Sequence, residues 1–442
     1  MIIKNKATKR GFITNIYHAG VEFPKNTWQE LDSRQKQAVI DNLLYLKLFP
    51  FSIFMEKDMI FESDFPYLKR LGDECLKKDI PRIAAEDKKS SEDMIGRFRK
   101  KNPRFKTDKP KILGDIETEG SSLIGMSFGK DSLLSYGLAE ELGLSPRLVM
   151  VQDFWDIEAK HKLDLIRKFR QEFKEPTEII LDDFDDLNDY KRINISGSDG
   201  IINANAMNSY MAVMLPLAIT KRSRNIIFGN EHSFNDYYID KEGYKVYPSY
   251  DQSSASMKKQ NSALKGFTED NVRILSLIEP LYNIAEVKVL FSRYKEIAKY
   301  QMSCGMMGSK SRKERWCYGC AMCAKAYLYM VATDNQPERI NHKKSMFGKE
   351  KEDLYPLFNK NPERIYEKPK AARDEQLFAF YLAHKNDAKG YLMDKFRKIF
   401  LKEAIDREDE LYKRFYGMNS SSSIPPNMKK RLKSILKEEL GA

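Results

Sequence analysis

Beyond residue 120 the chain alternates short apolar runs with segments of helical spacing. "SSLIGMS" (121–127) is apolar enough for a buried strand. In "KDSLLSYGLAEELG" the residues Leu133, Leu134, Leu138 and Leu142 recur at helical intervals, and Gly143 supplies the stop. "RLVMVQDF" (147–154) predicts a second strand, "DIEAKHKLDLIRKFRQEF" an amphipathic helix and "TEIIL" (177–181) a third strand. "NANAMNSYMAVMLPLAI" reads as a buried helix and "NIIFGN" (225–230) as a fourth strand. Strand and helix in alternation predict an α/β fold whose parallel sheet is covered on both faces. In such sheets ligands bind outside the carboxyl ends of the strands.

The remaining chain carries weaker patterns. Residues 1–115 read as an extension of mixed helix and loop. It ends in the basic stretch "RFRKKNPRFKTDKPKILGD", expected to be a linker or an exposed basic surface. Residues 116–335 hold the α/β pattern. Residues 336–442 form a charged, mainly helical region with an expected flexible break at "GMNSSSSIPPN" (417–427) and a last basic helix, "MKKRLKSILKEEL". No internal repeat is visible.

Composition narrows the class. The 442 residues are 42% hydrophobic, enough for a real core, and 32% charged. A net charge of +12 permits contact with nucleic acid or acidic ligands, although solvated lysine-rich faces account for most such excesses. No apolar run reaches the roughly 18 residues of a membrane helix. "MIIKNKATKRGFITNIYHAG" lacks the apolar core of a signal peptide, so the expected location is the cytoplasm.

Two constellations carry chemistry. The first is Ser127-Phe128-Gly129-Lys130-Asp131-Ser132, at the expected strand-to-helix turn. Free backbone N–H groups and the helix dipole favour an anion there. Gly129 allows close approach, Ser127 and Ser132 offer hydroxyls, and Lys130 offers charge. Asp131 suits either Mg²⁺ or a helix cap, and a Ser/Asp cap without any ligand is the plainer reading. The second constellation is Cys304-x12-Cys317-x2-Cys320-x2-Cys323. Four thiolates suit tetrahedral zinc, with Gly319 easing the turn. An iron–sulfur cluster is the alternative, since Cys-x2-Cys-x2-Cys occurs in such sites too. The fifth cysteine, Cys75, stands apart.

The hexapeptide resembles the SGGxDS loop of the PP-loop ATP pyrophosphatases, the adenine nucleotide α-hydrolase-like proteins. Phe128 stands where the first family glycine would be, while Gly129, Asp131 and Ser132 match. Followed by the four-cysteine group, the pair resembles the 7-cyano-7-deazaguanine synthase (QueC) family over about half the chain. Asn205 is the best match to that family's Arg-Asn helix, with Ala204 in place of the Arg. "FGNEHSFND" (228–236) is similar to its substrate loop at Gly229 and Glu231, and "VYPSYDQS" to a later segment at Tyr247 and Pro248. Bland readings of these residues are a buried amide, a turn and a Pro-containing loop.

The resemblance implies ATP, Mg²⁺ and Zn²⁺, with residues 127–132 holding ATP and Lys130, Asp131 and Ser132 catalytic. The four cysteines would bind the metal, and Asn205, Gly229, Glu231 and Tyr247 would contact a deazaguanine substrate. It implies adenylation of the carboxylate of 7-carboxy-7-deazaguanine, then attack by an amine. QueC-like proteins also occur in antiphage defence, and the long flanks favour a partner protein's N-terminal amine as acceptor, the partner coming from a neighbouring gene. Nitrile synthesis from ammonia is the alternative within the family. Outside it stand a tRNA thiolase with an iron–sulfur cluster and a non-catalytic zinc-containing RNA-binding module, nucleic acid being the less favoured partner. His232 is one candidate base, a surface histidine being the plainer reading.

Overall fold

The structure is a computed structural model. It describes residues 1–16, 18–153, 156–184, 201, 204–305, 314–359, 362 and 364–441, with Asp156 and Ile157 described as backbone only. Phe154 and Asn203, at the ends of two predicted elements, lie outside the described residues, as does most of the segment between Cys304 and Cys317.

The centre is an eight-stranded sheet. Its strands are β1 (Asn5–Ala7), β2 (Gly11–Thr14), β3 (Gly20–Glu22), β4 (Glu119–Gly125), β5 (Pro146–Gln152), β6 (Thr177–Asp182), β7 (Ser223–Ile227) and β8 (Arg273–Leu275). Their spatial order is β8-β7-β4-β5-β6-β3-β2-β1. β4 to β8 are parallel, with Ile124 opposite Leu148 and Ile227 opposite both Ile124 and Leu275. Counted along the chain, these five strands run 3-2-1-4-5 across the sheet, reversing direction between β4 and β7. A ligand crevice forms where the order reverses, because the loops leaving the two central strands diverge to opposite faces.

The predicted α/β fold with a parallel sheet is present. The N-terminal region differs from the mixed helix and loop expected of it. β1 to β3 form an antiparallel meander that joins the sheet where Val21 faces Asp182. Strands of two to four residues carry too few positions for an alternating pattern to register.

Side chains alternate between two cores, as the two-residue strand period requires. Leu123, Val149 and Ile226 face one core, and Ile124, Leu148, Met150 and Ile227 the other. The first is closed by α1 (Ser33–Leu48), α2 (Lys69–Glu86), α5 (Ala206–Thr220) and α6 (Ser254–Phe267). The second is closed by α3 (Lys130–Glu141), α4 (Asp156–Phe173), α7 (Asn283–Arg293), α8 (Ala321–Ala332), α9 (Lys370–Lys385) and α10 (Pro426–Leu440). Both flanks are thus structural layers of the sheet.

Two expected loose segments are fastened. In the basic stretch, Arg104–Thr107 pairs in parallel with Ile60–Asp64, and Leu113 is buried. At the expected flexible break, Ser422 and Ser423 donate five contacts of 2.7–3.0 Å through their amides and hydroxyls to the carboxylate of Glu279. Serine runs read as flexible in sequence because a distant acceptor leaves no local trace. Among the described residues no helix is long and apolar enough to cross a membrane.

Candidate active site and metal centre

A cavity of about 660 Å³ opens at the sheet's reversal point. The hexapeptide forms one wall. β4 ends at Gly125 and α3 begins at Lys130 with Gly129 as its N-cap, and no side chain caps it. Asp131 therefore does not serve as the helix cap. The first-turn amides point at the cavity end, as at any helix N-terminus. Ser132 Oγ donates to the Gly129 carbonyl (3.1 Å) and accepts from the Ser127 amide (3.3 Å), which ties the loop into a tight turn.

Phe128 explains how the turn forms without a glycine at this position. Its φ is 59°, the left-handed region that glycine favours. Its ring is fully buried, edge-on to Phe169 at 5.9 Å, and its carbonyl accepts from the Met302 amide (2.7 Å). Burying a phenylalanine outweighs the roughly 1–2 kcal/mol of left-handed strain.

The opposite wall is the loop after β7, where Phe228, Gly229, Asn230 and Glu231 line the cavity. Charge is concentrated between the walls. Lys130 Nζ pairs with Glu286 at 2.9 Å and with Asp131. Burial opposes the ammonium, but Asp131 and Glu286 outweigh it and hold its pKa above the ordinary lysine value. Burial likewise opposes the Asp131 carboxylate, and Lys130 still brings its pKa below normal. Burial pushes Glu286 well up and Glu231 to about 7, against the attraction of Lys130. The Ser233 amide donates to Glu231 at 2.6 Å.

The expected site residues divide. Ser127, Gly129, Lys130, Asp131, Ser132, Gly229 and Glu231 come together around the cavity. Phe128 joins through its backbone only. Asn205 is buried behind the wall, accepting from Asn208 Nδ2 (3.1 Å), and its neighbours Ala206 and Met207 line the cavity instead. Tyr247 packs on Tyr237 and Tyr250, while Pro248 reaches the cavity. His232 is half-buried and does not line the cavity: it packs edge-on to Tyr282 at 5.0 Å. Sequence reasoning missed Arg82 and Glu86 from α2, Lys162 from α4, Lys325 and Tyr329 from α8, and Tyr366. Both flanks thus contribute walls, which no local motif announces.

The four cysteines do converge. Their Sγ atoms all lie within 4.8 Å of one another, and three pairs are 3.5, 3.6 and 4.0 Å apart. A tetrahedral ion with bonds of about 2.3 Å sets its sulfurs about 3.8 Å apart, so this cluster fits one metal ion such as zinc. The four thiolates of a 2Fe–2S or 4Fe–4S cluster are shared among two or four irons, so as a set they spread wider than around one ion. The Cys323 and Gly319 amides donate to Cys320 and Cys317 sulfurs at 3.4 Å. The left-handed residue of this turn is Tyr318, at φ 56°, rather than Gly319. Cys75 is remote, buried against Ser256 Oγ at 3.4 Å. Cys320 caps α8, whose other face carries Met322, Lys325, Ala326 and Tyr329 into the cavity. The four-cysteine cluster therefore sits at the start of a cavity wall.

Compared with known protein families and with curated proteins, the chain finds no match.

Proposed function

We propose that this chain is an ATP-dependent carboxylate–amine ligase of QueC-like character. The observation that carries this reading is the meeting, at the sheet's reversal point, of an uncapped helix N-terminus bearing Lys130 and Asp131 with the buried carboxyl of Glu231. A helix N-terminus and a lysine suit the pyrophosphate of ATP, and the facing wall suits a small second substrate. The 3-2-1-4-5 strand order and the four-cysteine group support the same reading.

The proposed acid is 7-carboxy-7-deazaguanine. Its carboxylate oxygen attacks the α-phosphorus of ATP, the bond from that phosphorus to the α,β-bridging oxygen breaks, and pyrophosphate leaves. An amine then attacks the acyl carbon and AMP departs with the electron pair, leaving an amide. A free carboxylate resists amines, and the mixed anhydride supplies the leaving group. The residues hold the two reactants in line. Lys130 and the amides of the first turn of α3 offset charge on the departing pyrophosphate. Asp131 would hold Mg²⁺, which would screen the phosphates. Glu231, with a pKa of about 7, suits the proton lost by the amine. Four cysteines would leave a bound zinc no open position, so its role would be structural.

The proposed acceptor is the N-terminal amine of a partner protein. An α-amine, with an ordinary pKa near 8, is partly neutral at cellular pH, whereas most lysines are not. The net charge of +12 favours an acidic partner. The test is mass spectrometry after incubation with ATP, the acid, ammonia and a neighbouring-gene protein. A mass gain at the partner's N-terminus is expected. Accumulation of free amide or nitrile alone would assign the chain to small-molecule synthesis.

A further inference from the structure

The cations that line the cavity are not alike. Arg82 is paired with Asp79 and Glu86, each at 3.0 Å. Lys130 is paired with Glu286 and Asp131, and Lys162 with Glu158 at 2.6 Å. Lys325 differs: its ammonium lies over the Tyr329 ring at 5.6 Å, and among the described residues no carboxylate is within ion-pair distance. It is held at the cavity by α8, whose start is fixed by the cysteine cluster.

Asn230 is the second anomaly. It is 1% exposed, lines the cavity, and neither atom of its side-chain amide has a partner among the described residues. A buried amide left so costs about 1–3 kcal/mol per unmet group. A ligand with a neighbouring N–H and C=O meets both atoms at once, because a carboxamide offers one donor beside one acceptor. Both residues line the same cavity, together with Glu231, next to Asn230 in the chain.

We propose that Lys325 and Asn230 form the acyl-donor subsite, Lys325 taking the carboxylate and Asn230 the lactam-like edge of a planar heterocyclic acid. This rests on the ligase reading of the cavity, and it separates the acid's binding residues from the phosphate loop.

Calorimetry tests it on the full chain, with three probes: a non-hydrolysable α,β-methylene ATP analogue, 7-carboxy-7-deazaguanine, and the uncharged 7-cyano compound. Lys325→Met keeps the aliphatic stem over Tyr329. It is expected to weaken the acid tenfold or more and to leave the nitrile and the ATP analogue within twofold. Asn230→Ala is expected to weaken acid and nitrile alike, about tenfold, again sparing the ATP analogue. If that variant is unstable, the isosteric Asn230→Asp serves, with loss of nitrile binding as its readout. Unchanged acid binding by Lys325→Met, or equal loss of acid and nitrile, overturns the subsite while the ligase reading stands. Failure of the wild-type chain to bind the ATP analogue overturns the ligase reading and the subsite with it.

Discussion

Gly229 lies directly against Asp131. A β-carbon on Gly229 would stand 2.6 Å from the β-carbon of Asp131 and 3.2 Å from its carbonyl carbon. The two loops that leave the central strands are therefore in van der Waals contact at the reversal point, and the glycine is what permits it. Gly229→Ala should push the helix N-terminus away from the loop after β7. We expect a stability loss of about 1–3 kcal/mol and loss of ATP-analogue binding by tenfold or more. Denaturant unfolding and calorimetry read the two effects separately, and unchanged nucleotide affinity would remove this contact from the site.

Phe128 gives a reversal of an ordinary ranking. Phe128→Ala should lose about 3–5 kcal/mol through the vacated ring site. Phe128→Gly loses the same ring but relieves the left-handed backbone. Glycine should therefore be at least as stable as alanine here, whereas in ordinary helix or strand it is worse by about 0.5–1 kcal/mol. Urea unfolding of the two variants decides it, and a clearly less stable glycine variant would refute the strain argument.

The Glu231 carboxyl has a definite pH signature. Its pKa is about 7 in the folded chain, raised by burial from an ordinary 4.5. The unfolded chain releases that proton first, so stability from this group is full below pH 4.5. It falls as pH rises through 7. Glu231→Gln removes that slope. Relative to wild type it should gain up to about 3 kcal/mol between pH 4.5 and 8, seen as converging then crossing or widening unfolding midpoints. A constant difference across that range would contradict the raised pKa.

The cysteine cluster predicts about one tightly held ion per chain. Cys320→Ser should lower metal content and thermal midpoint together, because the ion fixes the start of α8. Cys75→Ser should leave metal content intact. Elemental analysis finding iron with sulfide would overturn the mononuclear assignment.

The parallel strands and their helices were legible because each spans at least five residues with a clear period, from Glu119–Gly125 to Ser223–Ile227, save the short β8. The turn of residues 127–132 and the convergence of the cysteines were legible because their residues are close in sequence. Arg82, Lys325 and Tyr366 were not, since each reaches the cavity from a separate layer and only the packing brings them together. Asn205 and Tyr247 fail as cavity residues for a related reason. Each sits one residue from a lining position, and a single step along a turn redirects a side chain. The fastening of Ser422 and Ser423 to Glu279 spans more than 140 positions and leaves no trace at either end.

The proposed reaction joins a carboxylate to AMP in this cavity. Oxygen labelling tests it most directly. With ¹⁸O in the carboxylate of 7-carboxy-7-deazaguanine, and an amine acceptor present, the wild-type chain should release AMP carrying one labelled oxygen, with unlabelled pyrophosphate. Asp131→Ala should abolish that AMP while leaving the chain folded. Unlabelled AMP, or ADP and phosphate as the products, would contradict the account.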